Sequence, residues 1–260
     1  MHDKVTDSGM LARSYGAAAA GNAAILPLTA SRLHYAVSGK RLVDIEALEL
    51  AAGGPTLVMG PNGAGKSLML RLLHGLIVPS GGEVLFGGRP MNLYIRRRQA
   101  MVFQRPVVLR RSVRANIDYA LAAQGVGRRE RAGRVDELLR MGELAGKARQ
   151  PARTLSSGEQ QRLALVRAIA AEPELLFLDE PTSSLDPAAT QMIEALIQSA
   201  VAGGTKIVMV THDIGQARRL GGEILFMHRG KVVEQTPCQT FIEAPVSHAA
   251  RAFLAGQLLL

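Results

Sequence analysis

Between an apolar run, Pro55–Met59, and Leu68–Leu76, whose apolar residues recur at helical spacing, the chain reads Gly60-Pro61-Asn62-Gly63-Ala64-Gly65-Lys66-Ser67. Its three glycines let the backbone curl until successive N–H groups point at one anion, and a helix starting there adds positive potential. The spacing G-x-x-x-x-G-K-[ST] is meaningful where a strand feeds the loop and a helix leaves it, and both neighbours are present. Lys66 can then reach the outer phosphates of a nucleoside triphosphate as a point charge, and the Ser67 hydroxyl can ligate Mg²⁺. A glycine-rich turn carrying an exposed lysine is the alternative. Eight positions in the right context weigh against it.

At 260 residues the chain has room for one large α/β domain or for a core with a subdomain. A single cysteine, Cys238, excludes an internal disulfide and a multi-cysteine zinc site, and fits a reducing cytosolic compartment. No apolar run approaches the ~18–20 residues that span a bilayer. Residues 1–27 read as a disordered or loosely attached tail. A signal peptide is the competing reading there, opposed by Asp3, Asp7, Asn22 and Pro27. The net charge of +9 comes mostly from arginine, in clusters such as Arg96–Arg98, Arg110-Arg111 and Arg128-Arg129. No aromatic residues interleave with them, so a solvated basic surface is expected rather than a nucleic-acid interface.

Leu33–Val37 and Arg41–Leu50 read as antiparallel strands turned at Ser38-Gly39, and Glu83–Phe86 as a short strand between glycine pairs. Leu175–Leu178 and Lys206–Val210 are apolar runs of the kind buried on both faces of a parallel sheet. Ala188–Ala202, between them, carries Met192, Ile193, Leu196 and Ile197 on one side and reads as a crossover helix. Glu223–Met227 and Lys231–Gln235 read as a closing hairpin, with a helical segment over Gln239–Leu260. From Ser112 to Gly146 the spacing is helical throughout. Ser112 can cap a first helix that Gly125 ends, and a second, about Arg128–Met141, puts Val135, Leu138 and Leu139 on one side. This block reads as a helical subdomain inserted between two halves of an α/β core.

The run Leu175–Leu178 ends in two carboxylates, Asp179 and Glu180. A parallel strand delivers its C-terminal end to the ligand crevice. Asp179 can hold Mg²⁺ there, directly or through water, and Glu180 can polarise a water in line with a γ-phosphate. A carboxylate pair that merely opens the turn at Pro181 is the structural alternative.

The Lys66 loop, Gln104, Leu155-Ser156-Ser157-Gly158-Glu159-Gln160, Asp179-Glu180, Ser184-Leu185-Asp186 and His212 follow the order found in ABC transporter ATPase subunits. The chain resembles that family over residues 28–245. The Leu-Ser-Ser-Gly segment before a helix separates this family from other phosphate-loop proteins. The resemblance implies the fold of an ABC nucleotide-binding domain: an α/β phosphate-loop NTPase core with an antiparallel β subdomain and an inserted helical subdomain at about 105–155. Residues 246–260 remain as a C-terminal segment.

The same resemblance implies ATP and Mg²⁺ as cofactors. Gly60, Pro61, Asn62, Gly63, Ala64, Gly65, Lys66, Ser67 and Leu68 would hold the phosphates, and Tyr35 would stack on the adenine, unless it is a core aromatic. Ser67, Gln104 and Asp179 would hold the metal. In catalysis Glu180 would act on the water, Gln104 would also contact it, and His212 would contact the γ-phosphate and hold Glu180 in place. Ser156, Ser157, Gly158 and Glu159 would serve the ATP of a second copy of the chain, at the start of a helix over about Glu159–Ala171. Asp186 would couple the two sites. The commonest form of the segment, Leu-Ser-Gly-Gly-Gln, is departed from at Ser157 and Glu159. The Glu159 charge must therefore point away from the anion or be paired. Leu68 stands where Thr is commoner, and Ser67 keeps the metal hydroxyl.

A chain of this kind is expected to hydrolyse ATP on the cytoplasmic side of the cell membrane, driving a separate membrane-spanning permease. An exported solute-binding protein would be an indirect partner, and no nucleic acid is expected. The segment Met101–Val113 is similar to the subgroup importing tungstate, molybdate or phosphate. An ATPase serving an amino-acid importer or a lipid or lipoprotein exporter is the alternative within transport. A soluble ABC ATPase of DNA repair, chromosome structure or translation is the alternative outside it, and a slowly hydrolysing nucleotide-binding regulator is the third.

Overall fold

The computed structural model describes residues 24–257. The chain opens with β1 (Leu28–Val37), β2 (Lys40–Leu50) and β3 (Thr56–Met59), then α1 (Lys66–His74), β4 (Gly81–Phe86), β5 (Arg89–Pro90), α2 (Leu93–Arg97) and β6 (Gln99–Val102). A helical stretch follows, with α3 (Val113–Ala123), α4 (Arg128–Met141), 3₁₀ turns at Ala145–Lys147 and Ala152–Thr154, and α5 (Ser157–Ile169). The chain then returns through β7 (Leu175–Asp179), α6 (Pro187–Ala202), β8 (Lys206–Val210) and α7 (Ile214–Leu220). It finishes with β9 (Glu223–His228), β10 (Lys231–Pro237), α8 (Cys238–Glu243) and α9 (His248–Leu254).

Two sheets result, a four-stranded antiparallel one in the order β2-β1-β4-β5 and a six-stranded one in the order β10-β9-β3-β8-β7-β6. In the larger sheet β6, β7, β8, β3 and β9 run parallel, and β10 alone is antiparallel. Successive side chains of a strand face opposite ways, and here both faces are buried. Val58, Leu175, Phe177, Val208 and Val210 join one core with α1 and the antiparallel sheet. Leu57, Met59, Leu176, Leu178, Ile207 and Met209 join the other, with α3 to α6. This arrangement explains why β7 and β8 read as unbroken apolar runs.

Several boundaries differ from the sequence reading. β1 starts at Leu28 rather than Leu33, because its register against β4 shifts between Ser31 and His34, and Arg32 has φ +48°. That bulge breaks the alternation, so buried Leu28 and Ala30 fall out of phase with Leu33. β6 is a four-residue edge strand with no turn signal around it. The end of the expected loose tail is docked: Ile25 is fully buried, and its N–H donates to Glu174 Oε2 at 2.8 Å. Residues 1–23, and with them the bulk of the tail and the signal-peptide alternative, lie outside the described residues. α5 starts two residues before the expected Glu159, where Ser156 caps it. The C-terminal region forms two helices with a break between them. At that break Glu234 accepts hydrogen bonds from the N–H groups of Val246 and Ser247 (3.0 and 2.9 Å). Ala250 and Ala252 are buried, and Phe253 lies against Phe226 with ring centroids 5.3 Å apart.

Candidate functional site

Four adjacent parallel strands, β3, β8, β7 and β6, end at the same edge of the sheet. Their C-terminal ends deliver the phosphate loop, His212, Asp179-Glu180 and Gln104 respectively, at the edge where open α/β sheets bind ligands.

The loop leaves β3 at Gly60, where φ is +143° and a Cβ would stand 2.1 Å from the carbonyl oxygen of Met227 in β9. Glycine is therefore required there by conformation and by space. Gly65, with φ +96°, stands at the N-cap of α1 and offers no side-chain cap, so the first N–H groups of the helix are left for an anion. Lys66 is buried, and its Nζ donates to Gly60 O at 2.8 Å and Pro61 O at 3.0 Å. Burial holds its ammonium below the usual lysine range, and the Glu180 and Asp179 carboxylates oppose that shift. Ser67 Oγ donates to Asp179 Oδ1 at 2.7 Å, and Arg71 Nη2 lies 3.7 Å from the other carboxylate oxygen. Residues 62–68, with Leu42 and Glu180, line a cavity of about 370 Å³.

Glu180 sits just past β7 with φ +46° and donates its N–H to Val210 O at 3.2 Å. A non-glycine residue there is strained, and such strain persists where the surroundings fix it. Its Oε2 accepts a hydrogen bond from Gln104 Nε2 at 3.2 Å and lies 3.8 Å from His212 Nδ1. Glu180 also lines a second cavity, of about 420 Å³, together with His212, Thr182, Ser183 and Ser184. One carboxylate thus faces both the phosphate loop and the open side of the crevice.

None of the residues Ser156–Glu159 lines the phosphate-loop cavity; Ser157 lines a separate one of about 340 Å³ with Gln104, Ser183 and Ser184. Ser156 Oγ accepts from Glu159 N–H at 3.4 Å while Glu159 Oε2 accepts from Ser156 N–H at 3.0 Å, a reciprocal cap on α5. The other Glu159 oxygen is paired with Lys147, so the charge the sequence left unexplained has a partner. That hydrogen bond holds the Glu159 carboxyl below its usual range; burial opposes the shift and Ser156 adds to it. Ser157 is the first residue of α5 and has no positive φ, so a side chain is tolerated there. At Gly158 a Cβ would stand 3.1 Å from Ala189 Cβ of α6, which keeps that position small.

Tyr35 is half-buried against the core beneath the antiparallel sheet and does not line the phosphate-loop cavity; Leu42 of β2 does. Asp186 caps α6 by accepting from Ala189 N–H at 2.8 Å, with Pro187 as the first helical residue.

Sequence reasoning missed the polar layer behind His212. Gln216 is fully buried: its Oε1 accepts from Thr211 Oγ1 (2.8 Å), and its Nε2 donates to Glu194 Oε1 (3.0 Å) and Thr182 Oγ1 (3.1 Å). Two hydrogen bonds from Arg219, each 2.8 Å, hold the Glu194 carboxyl below its usual range. This layer ties the residues around His212 to those after Glu180. Asp213-Ile214-Gly215-Gln216 carries a capping pattern that could have marked α7. Nothing in the sequence pointed to Arg71 or Lys147.

Ser67 and Asp179, hydrogen-bonded to each other, and Gln104, hydrogen-bonded to Glu180, would offer a cation a hydroxyl, a carboxylate and an amide oxygen. Such hard ligands suit Mg²⁺, and they are few enough to require phosphate oxygens and water to complete its shell. Among the described residues no group of three or more His, Cys, Asp or Glu side chains could hold a metal.

Residues 44–183 match the family model described as ABC transporter. The chain is 34% identical over 248 residues to the phosphate import ATP-binding protein PstB 2 of Natronomonas pharaonis, covering 89% of this chain and 87% of that one. It is 37% identical over 210 residues to the tungstate uptake system ATP-binding protein TupC of Peptoclostridium acidaminophilum, covering 80% and 98%. Among solved structures it is similar to cbiO1 from Clostridium perfringens, described as part of the ABC transporter complex cbiONQ. The TM-score is 0.75 at 27% identity, over 86% of this chain and 93% of that one.

Proposed function

Because this chain belongs to the ABC transporter family, we propose that two copies of it close head to tail on two molecules of MgATP and so power the import of an oxyanion. The chain is an ATP-hydrolysing importer subunit that works with a membrane permease. Among the described residues no helix is long and apolar enough to cross a membrane.

In the proposed mechanism the N–H groups of the phosphate loop and the Lys66 ammonium clasp the phosphates. Ser67, Asp179 and Gln104 would hold Mg²⁺, which supplies charge neutralisation on the outer phosphates. Glu180 takes the proton of a water lying in line with the γ-phosphate, and Gln104 and His212 hold its carboxylate in place. Because Glu159 already occupies the Ser156 N–H, the donors left for the partner's ATP are the Ser156 hydroxyl and the N–H groups of Ser157 and Gly158. Asp186 couples the two composite sites. ATP binding favours the closed dimer and hydrolysis reopens it. The helical insert passes the movement to the permease, which places this chain on the cytoplasmic face of the membrane. An exported solute-binding protein would supply the anion.

The observation that carries this reading is the separation within one chain. α5 offers unfilled N-terminal donors, yet its first residues do not line the chain's own phosphate-loop cavity. A Glu180→Gln variant should hold MgATP as a stable dimer and hydrolyse it at least 100-fold more slowly than the parent. A variant that stays monomeric at saturating MgATP, alone and with its permease, would refute the closed dimer. The oxyanion assignment is supported by the phosphate and tungstate relatives. Uptake of labelled phosphate or tungstate, lost with Glu180→Gln, tests it; uptake of an amino acid by the same complex would replace it.

A further inference from the structure

The start of α5 holds a conflict that a third element relieves. In the proposed dimer this helix end receives the partner's γ-phosphate, yet its third residue is the anionic Glu159. The carboxylate strengthens the helix locally through the reciprocal cap with Ser156. The same charge repels a phosphate brought to the same helix end.

Lys147, in the 3₁₀ turn Ala145–Lys147 that follows α4, reaches back and pairs with Glu159 Oε1. The other cation nearby is Arg162, 4.0 Å from the same oxygen. That contact is made by Nη2 beyond hydrogen-bond reach, while Nη1 donates to Gly142 O at 2.9 Å and lies 3.8 Å from Glu143; Lys147 is hydrogen-bonded to Glu159. Lys147 therefore carries most of the compensation. The Glu159 side chain is mostly buried, while Lys147 is partly open to solvent.

We infer that Lys147 is a positioning residue of the composite ATP site, one that cancels the Glu159 charge so that a negative capping residue can share a helix terminus with the partner's phosphate. This rests on the closed-dimer reading. It also explains how the helix keeps the stability of a carboxylate cap without losing its affinity for an anion.

The test uses the full chain carrying Glu180→Gln and follows MgATP-driven dimerisation by light scattering. Adding Lys147→Met should raise the ATP concentration at half-dimerisation about tenfold. Adding Glu159→Gln to that variant should bring the half-point back to within about twofold of the Glu180→Gln background. A Lys147→Met half-point equal to the background overturns the inference. So does a defect that Glu159→Gln does not relieve, because Lys147 would then only brace the turn. Should Lys147→Met fail to fold, Glu159→Gln alone decides: freeing the lysine charge should lower the half-point, and a raised half-point refutes the proposal. Failure of the closed-dimer reading looks different, since the Glu180→Gln background would itself remain monomeric, and this inference would fall with it.

Discussion

His74 closes α1, the helix that begins at the phosphate loop, and its ring meets Phe177 of β7 edge-on with centroids 5.7 Å apart. Burial, with the Arg96 charge adding to it, pushes its pKa from 6.5 down to about 4. Its Nδ1 is buried without a hydrogen-bond partner. The carbonyl end of α1 favours a cation, by up to ~2 kcal/mol in a partly buried site, and burial outweighs it. The folded value is the depressed one, so between pH 6.5 and 4 the unfolded chain binds more protons. Stability therefore falls as the pH falls through that window and levels off below about pH 4. Going from pH 7 to pH 5 should cost about 2 kcal/mol through this group alone. With a urea slope of ~2–3 kcal/mol/M for a chain of this size, the midpoint drops by roughly 0.7–1 M. His74→Phe keeps a ring against Phe177 and removes the titration, so its midpoint should move only by what other groups contribute. Parallel shifts of parent and variant between pH 7 and pH 5 would refute the reasoning, because the histidine would then ionise alike in both states.

Two glycines of the phosphate loop should respond very differently to alanine. At Gly60 the new Cβ would lie 2.1 Å from Met227 O at φ +143°, so β9 must move. The expected loss is about 3 kcal/mol or more in chemical denaturation, with ATP binding lost as well. At Gly63, φ is +78° and no atom lies within 4 Å of the Cβ position, so Gly63→Ala should cost only about 1 kcal/mol of backbone strain. Equal denaturation midpoints for the two variants would show that the contact with Met227 is not what fixes this loop.

What the sequence made legible was whatever depends on a short local pattern. The phosphate loop stood out because three glycines, a lysine and a serine must keep fixed spacing for one turn to cradle an anion. β7 and β8 stood out because burial on both faces makes a strand apolar without interruption. Groups that act across the chain left no such trace. Arg71 meets Asp179 and Lys147 meets Glu159 only once the fold is assembled, and an arginine or lysine in a helix or turn reads as ordinary solvated charge. Gln216 was hidden for a related reason: besides nearby Thr211, this buried amide is justified by Thr182 and Glu194, which are remote in sequence. Tyr35 is half-buried against the core beneath the antiparallel sheet, so both readings of it, adenine platform and core aromatic, keep a place for its ring. The site therefore divides by range. The atoms that would touch phosphate follow from local geometry, while the charges and hydrogen bonds that would tune them come from long-range packing. That is why Ser156–Glu159 could be read in the sequence as the start of a helix, whereas the lysine that pairs with its acidic cap required the structure.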